Sequence, residues 1–238
     1  MVTAVIVAAG RGQRLSGRQE KPFVKLAGRP LLAYSVELFD SHPGIDAVVV
    51  VAAADRLERV RRLLPTRRYR KLAALVAGGS RRRDSVAAAL AVLPTGSRVV
   101  LVHDAARPLA SPELLSRLIK AGRRQAAVPG LPVSDAVWKA AAGRCERPVA
   151  RDGMFQVQTP QAFPVRVIRA AYASGRTGGG RADDDAALAR RAGFPVRLLP
   201  GEPTNFKITY PADLAAAEAF LRARPKPGQK GKGRCLTR

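Results

Sequence analysis

The sequence predicts an α/β protein built on a doubly wound, mostly parallel sheet with a projecting β-arm. Three observations predict it. Short apolar runs alternate with segments of helical spacing as far as Gln125 to Val128. Several runs, among them Val5 to Val7, Ala47 to Ala52 and Val99 to Val102, are apolar at consecutive positions, as strands buried on both faces are. Loops of small or polar residues follow the ends of these runs, where an open parallel sheet binds its ligands.

The first run breaks into Ala8, Ala9, Gly10 and Gly12, whose small side chains let backbone N–H groups approach a ligand closely, as a phosphate cradle requires. Arg11, Arg14, Arg18 and Lys21 would face the anion. Leu15 stands where the dinucleotide fingerprint needs its third glycine, and no G-x-x-x-x-G-K-[ST] string follows. Neither a dinucleotide-binding dehydrogenase nor a P-loop NTPase is supported, and a basic loop after a core strand explains this stretch alone equally well.

Leu31, Ser35, Leu38 and Phe39 fall at helical spacing over Leu31 to Ser41, with Pro30 suited to the first turn. After the strand Ala47 to Ala52, Asp55 is expected to cap a helix from Arg56 to Leu64 whose buried stripe is Leu57, Val60, Leu63 and Leu64. Leu72 to Val76 is a third strand ending in Gly78 and Gly79. GGSRRRDSVAAAL then brings Ser80, Arg82 and Ser85 into an alanine-rich helix running to about Leu93; its hydroxyls and backbone suit a base edge, and equally an ordinary capped turn. The strand Val99 to Val102 delivers His103-Asp104-Ala105-Ala106-Arg107-Pro108 at its carboxyl end, where Asp104 is suited to hold Mg2+ beside a phosphate chain or simply to close a turn.

Ser111-Pro112-Glu113 opens a helix to about Ala121, and Gln125 to Val128 is a fifth strand. Val133 to Gln158 holds two strand-like pieces around Ala140 to Gly143, an arm whose projection points to a second copy of the chain. TPQAF precedes a helix from Val165 to Ala173, and a glycine-rich loop follows at Gly175 to Arg181. Asp183, Asp184 and Asp185 start a helix through Arg191, where acidic residues suit the positive end of the helix dipole. Val196 to Leu199 is a strand, Asn205 to Thr209 sets Lys207 among apolar neighbours, and Pro211 to Leu221 is the final helix.

With 238 residues, 47% of them hydrophobic, the chain can bury one sizeable core, here assigned to residues 1–222, with the arm at about 132–158 and a basic tail at 223–238 expected to be disordered. The absence of an N-terminal signal pattern and of an apolar run approaching ~18 residues makes a soluble cytoplasmic protein with no membrane partner the expectation. Cys145 and Cys235 offer neither a metal spacing nor a disulfide framework. A net charge of +24 raises a nucleic-acid reading, but aromatics are 5% and the basic residues are dispersed rather than interleaved with stacking rings. That reading requires affinity to fall ~10³-fold or more between 50 and 200 mM salt, which a gel shift would detect; no specific nucleic-acid partner is expected.

Taken together and in order, AAGRGQRL, KPFVKLAGRPLL, GGSRRRDSV, HDAARP, RDGMFQVQTPQAF and NFKIT-x-PADL resemble the 2-C-methyl-D-erythritol 4-phosphate cytidylyltransferase family of the non-mevalonate isoprenoid pathway. The resemblance covers nearly the whole chain before the tail. It implies a Rossmann-like nucleotidyltransferase fold, Mg2+-dependent transfer from CTP to a sugar-alcohol phosphate with release of pyrophosphate, and a homodimer joined by the arm. By motif, Ala8, Ala9, Gly10 and Gly12 would line the CTP loop, Arg14 and Lys21 would hold the α-phosphate, and Gly79, Ser80 and Ser85 would contact cytosine and ribose. Asp104 would bind the metal, Lys207 would assist at the reacting phosphates, and Arg107, with Arg151 and Thr159 from a partner's arm, would hold the acceptor.

The chain departs from the family pattern at two acceptor-side positions. Ala136 and Asp183 each stand where the family usually has Thr, and a lost hydroxyl can cost a hydrogen bond worth ~0.5–1.5 kcal/mol. Glu20 and Pro22 likewise replace the commoner Pro and Gln around Lys21. A ribitol 5-phosphate cytidylyltransferase on the same scaffold is therefore the alternative.

Overall fold

Strands whose side chains are apolar on both faces must be covered on both faces, and the computed structural model, which describes residues 1–10, 21–174 and 184–223, shows how. Its strands are β1 (Val2–Val7), β2 (Lys25–Leu26), β3 (Arg29–Pro30), β4 (Ala47–Ala52), β5 (Leu72–Ala77), β6 (Val99–Asp104), β7 (Ala126–Pro132), β8 (Val137–Ala141), β9 (Arg144–Val149), β10 (Phe155–Val157), β11 (Gln161–Pro164) and β12 (Val196–Pro200). Its helices are α1 (Leu31–Ser41), α2 (Leu57–Leu63), α3 (Arg82–Ala91), α4 (Pro112–Gly122), α5 (Val165–Ser174), α6 (Asp185–Arg191) and α7 (Pro211–Ala223).

The central sheet runs β7-β11-β6-β1-β4-β5, with β10 and β12 both paired to β7. Gly130 faces Val157 of β10 and Pro200 of β12, so these two strands flank β7 on opposite edges. The β1, β4, β5 and β6 pairings are parallel. Alternation then sorts the core: Ala4, Ile6, Val48, Val50 and Leu101 point to the face covered by α1, α2 and α4, and Val5, Val49, Val51, Val100 and Val102 to the face covered by α3, α5 and α6. The doubly wound architecture expected from the apolar runs is the one observed.

Several elements differ from the expectation. TPQAF is not merely a lead-in to a helix: Gln161–Pro164 forms β11, which runs antiparallel to both β6 and β7. Four residues buried on every side, with a proline at the end, carry no alternation, and this pairing is decided by partners far away in sequence. The arm is also shorter than 132–158, because Phe155–Val157 joins the central sheet against β7 and the hairpin proper is β8 with β9. Asp55 does not cap α2; a 3-10 turn spans Ala54–Arg56 and the helix begins at Leu57 with no side-chain cap. The β2–β3 hairpin, invisible to periodicity at two residues a strand, forms a satellite core with α7 through Val24, Leu26, Leu31, Leu109, Ile208 and Ala217. No helix among the described residues is long and apolar enough to cross a membrane.

Candidate active site

Register brings the loops together. Val7 pairs with Asp104 across β1 and β6, and the ladder continues past the strand ends, with Ala8 N donating to Val51 O at 2.7 Å, Ala105 N to Val7 O at 3.1 Å and Gly78 N to Ala52 O at 2.7 Å. The segments after β1, β5 and β6 therefore share one edge of the sheet. Between them lies a cleft of about 240 Å³ lined by Ala8, Ala9, Gly10, Lys21, Gly79, Ser80, Arg82, Ser85, Asp104 and Lys207, among others. Gly78 allows the close approach of its walls: a Cβ there would lie 2.6 Å from both Ala9 Cβ and Ser85 Oγ.

Charge is concentrated on one wall. Asp104 Oδ1 accepts from Arg82 Nε at 2.9 Å and Oδ2 from Lys207 Nζ at 2.7 Å, while Arg82 Nη1 donates to Asp185 Oδ2 at 2.8 Å. Burial alone would raise the Asp104 carboxyl, but Arg82 and Lys207 outweigh it and hold the group well below the usual carboxylate range. Burial also opposes the Arg82 charge, and Asp185 and Asp104 overcome it, so its guanidinium stays protonated. Lys207 reaches the wall because Ile208, fully buried, donates its N–H to Ala106 O at 2.9 Å, and Asn205 Nδ2 donates to Thr159 O at 2.9 Å.

Behind this wall, Asp104 N donates to Thr159 Oγ1 at 3.0 Å, and Thr159 Oγ1 lies 3.2 Å from His103 Nδ1. His103 Nε2 sits 3.1 Å from Arg107 O, an acceptor, so that nitrogen carries the proton and Nδ1 receives the Thr159 hydroxyl. Burial pushes the imidazole down to about 4, against the pull of Asp104. An unfolded His binds its proton below ~6.5, and the native one only below about 4, so stability is complete above pH 6.5 and declines as pH falls from there toward 4. Urea titrations should find this group making the protein about 2 kcal/mol less stable at pH 5 than at pH 7. His103→Asn should flatten that slope, and an unchanged slope would refute the assignment.

The sequence-nominated residues thus divide. Ala8, Ala9, Gly10, Lys21, Gly79, Ser80, Ser85, Asp104 and Lys207 share the cleft. Ser85 is buried, with its hydroxyl donating to Arg81 O at 3.3 Å. Thr159 and Arg107, nominated for the acceptor, are not lining residues: the Thr159 hydroxyl is engaged behind Asp104, and the largely buried Arg107 donates through Nη1 to Asn205 O at 2.7 Å. Burial lowers the Arg107 pKa despite Asp104. Arg151 and Ala136 are exposed around the root of the arm, where Arg151 donates to Ser134 O. Arg14, Gly12 and Asp183 lie outside the described residues. Arg82, which the sequence places beside Ser80 and Ser85 without a role, belongs to the charged wall, whereas Arg81 pairs with Asp84 at the surface.

Among the described residues no group of three or more His, Cys, Asp or Glu side chains could enclose a metal ion. The single carboxylate of Asp104 nevertheless has spare lone pairs beside its two cations, and Mg2+ ordinarily keeps waters and takes one or two carboxylates plus substrate phosphates. The donor set fits Mg2+ arriving with a phosphate chain.

A sequence model of the family described as "IspD: 2-C-methyl-D-erythritol 4-phosphate cytidylyltransferase" matches residues 2–223. A relative named 2-C-methyl-D-erythritol 4-phosphate cytidylyltransferase from Cereibacter sphaeroides is 42% identical over 220 residues, covering 92% of this chain and 96% of its own. A "Bifunctional enzyme IspD/IspF" from Dinoroseobacter shibae is 40% identical over 227 residues, and the match covers 94% of this chain and 55% of the longer protein. The chain thus spans a little over half the length of that relative and of a similar one from Desulfotalea psychrophila, at 58%. The crystal structure of 2-C-methyl-D-erythritol 4-phosphate cytidylyltransferase from Thermus thermophilus superimposes with a TM-score of 0.76 at 36% identity, covering 92% of this chain and 98% of that one. A 4-diphosphocytidyl-2C-methyl-D-erythritol synthase from Anaerococcus prevotii gives 0.79 at 29% identity, covering 93% and 96%.

Proposed function

The chain belongs to the 2-C-methyl-D-erythritol 4-phosphate cytidylyltransferase family, and from that premise we propose that it transfers CMP from CTP to 2-C-methyl-D-erythritol 4-phosphate, forming 4-diphosphocytidyl-2-C-methyl-D-erythritol and pyrophosphate. The observation that carries this reading is the meeting of Lys21, Arg82 and Lys207 with Asp104 in one cleft floored by Ala8, Ala9 and Gly10. The acceptor's phosphate oxygen forms the new bond to the α-phosphorus of CTP as the bond from that phosphorus to the bridging oxygen breaks, and pyrophosphate leaves with the electron pair. That nucleophile is already ionised at pH 7, so no general base is required. His103, buried and neutral, accordingly has no proton-transfer role.

Catalysis then rests on placement and on neutralising charge that grows in the transition state. Ala8, Ala9 and Gly10 admit the nucleotide backbone-close. In this reading Gly79, Ser80 and Ser85 contact cytosine and ribose, and Lys21, Arg82 and Lys207 hold the phosphates. Arg14 joins these cations in the family reading. Asp104 would hold Mg2+, which when bound supplies Lewis-acid neutralisation of the triphosphate.

The acceptor would approach from the side of Arg107 and the arm. A homodimer is part of the proposal: β8 and β9 pair only with each other among the described strands, and the arm carries Trp138 at 52% exposure. A cytoplasmic location follows from the reading, since its donor is a cytoplasmic nucleotide.

Pyrophosphate release measured with CTP, ATP and UTP against each acceptor tests the reading. CTP with methylerythritol phosphate should be fastest. A preference for ribitol 5-phosphate would overturn the acceptor assignment, and no release with any pair would overturn nucleotidyl transfer itself.

A further inference from the structure

Arg82 is gripped from two sides. Its Nε donates to Asp104 on the cleft wall and its Nη1 to Asp185 behind it, while its Nη2 is buried with no hydrogen-bond partner. Asp185 is 1% exposed, and its second oxygen accepts from the Tyr172 hydroxyl at 2.5 Å, so the carboxylate has no route to solvent. The element that carries it is tied down as well. Asp184 caps α6 by accepting from Ala187 N at 2.7 Å, and Gln161 of β11 donates to Asp184 Oδ2 and accepts from Ala186 N, both at 3.0 Å. Neither Asp185 nor Tyr172 lines the cleft.

An Arg and a carboxylate in contact favour a two-pronged fork, with two parallel N–H bonds to the two oxygens. Arg82 meets Asp104 through Nε alone: Nη1 is drawn to Asp185, Lys207 holds the second Asp104 oxygen, and Nη2, the group that would complete a fork with Nε, is left without a partner. We propose that Asp185, braced by Tyr172, is a positioning residue for nucleotide binding: it holds the Arg82 guanidinium open on the cleft wall and prevents it from closing as a fork over Asp104. The proposal rests on the cytidylyltransferase reading of the same cleft. Without the Asp185 charge, Arg82 turns onto Asp104, and an incoming nucleotide must break that pair before it can use either group.

The test combines calorimetric binding of CTP in Mg2+ with steady-state pyrophosphate release, on the wild type, Asp185→Asn, Tyr172→Phe, Arg82→Lys and the Asp185→Asn/Arg82→Lys double variant. Asp185→Asn should weaken CTP binding and raise the KM for CTP about 10–100-fold, by analogy with removing a partner that orients a metal-ligating side chain, with the acceptor KM unchanged. Tyr172→Phe should act in the same direction and less. Arg82→Lys cannot span two carboxylates, so adding Asp185→Asn to it should cost nothing further; a role confined to stability would make the two losses add.

Additive losses, or a lowered melting temperature with unchanged CTP affinity, would overturn the proposal. If Asp185→Asn does not fold, Tyr172→Phe with Arg82→Lys closes the same cycle. A wild-type chain that binds CTP but releases no pyrophosphate with methylerythritol phosphate would sink the acceptor reading while the binding cycle still decides this one, and a chain that binds no CTP would sink both.

Discussion

Asp104→Ala is expected to lower CTP-dependent turnover about 1,000-fold and to cost about 3 kcal/mol of stability, or about 6–12 °C in melting temperature. Both effects have one cause. The carboxylate is the shared acceptor of Arg82 and Lys207, with its side chain 12% exposed, so its removal leaves cations at the end of the sheet without their counter-charge. Lys207 is 43% exposed and can turn to water, whereas Arg82 at 27% keeps only Asp185, and most of the stability loss falls there. The same variant loses the carboxylate proposed to hold Mg2+. Asp104→Asn, which keeps the shape, should fall between the two proteins in stability yet remain as inactive as the alanine variant. Turnover within tenfold of wild type in either variant would reduce Asp104 to a structural brace.

Lys21→Ala should lower turnover by about 100-fold or more. Lys21 opens the 3-10 turn Lys21–Phe23, whose Pro22 and Phe23 are buried and anchor the backbone beneath it. Arg82 and Lys207 line the same cleft, so three cations border a space of about 240 Å³. If the ammonium acts mainly on charge that builds up in the transition state, kcat falls while the CTP KM moves little. A loss confined to KM would assign Lys21 to ground-state binding instead, and unchanged kinetics would remove it from the site.

How much of this was legible in the sequence depended on the range of the determining forces. Runs such as Val5 to Val7 and Ala47 to Ala52 announced strands because burial on both faces demands continuous apolarity, and Ala8, Ala9, Gly10 and Asp104 were nominated because loops at strand ends are where such sheets bind. Lys207 stood out as one cation among apolar neighbours, and it does reach the cleft. Arg82 is named beside Ser80 and Ser85 but gets no role from the sequence, because RRR does not show that one arginine turns inward to Asp104 while Arg81 stays at the surface. Asp185 was read as a helix-dipole residue, since its Arg82 and Tyr172 partners, 103 and 13 positions away, leave no local mark. For the same reason β11 was missed, and so was the engagement of Thr159 behind Asp104.

The reversed direction of β11 has an outcome of its own. Inserted head-down between β6 and β7, this strand starts where β6 finishes, so a hydroxyl 55 positions away along the chain can clasp the Asp104 amide across a single rung. Ala162 and Phe163 belong to opposite halves of the interior. A slip of one residue would drive a benzyl group into the slot sized for a methyl and unclasp Asp104 in the same movement. Misalignment at this seam and a misplaced carboxylate are thus a single event, and a chain that has packed its interior correctly has already aimed its chemistry.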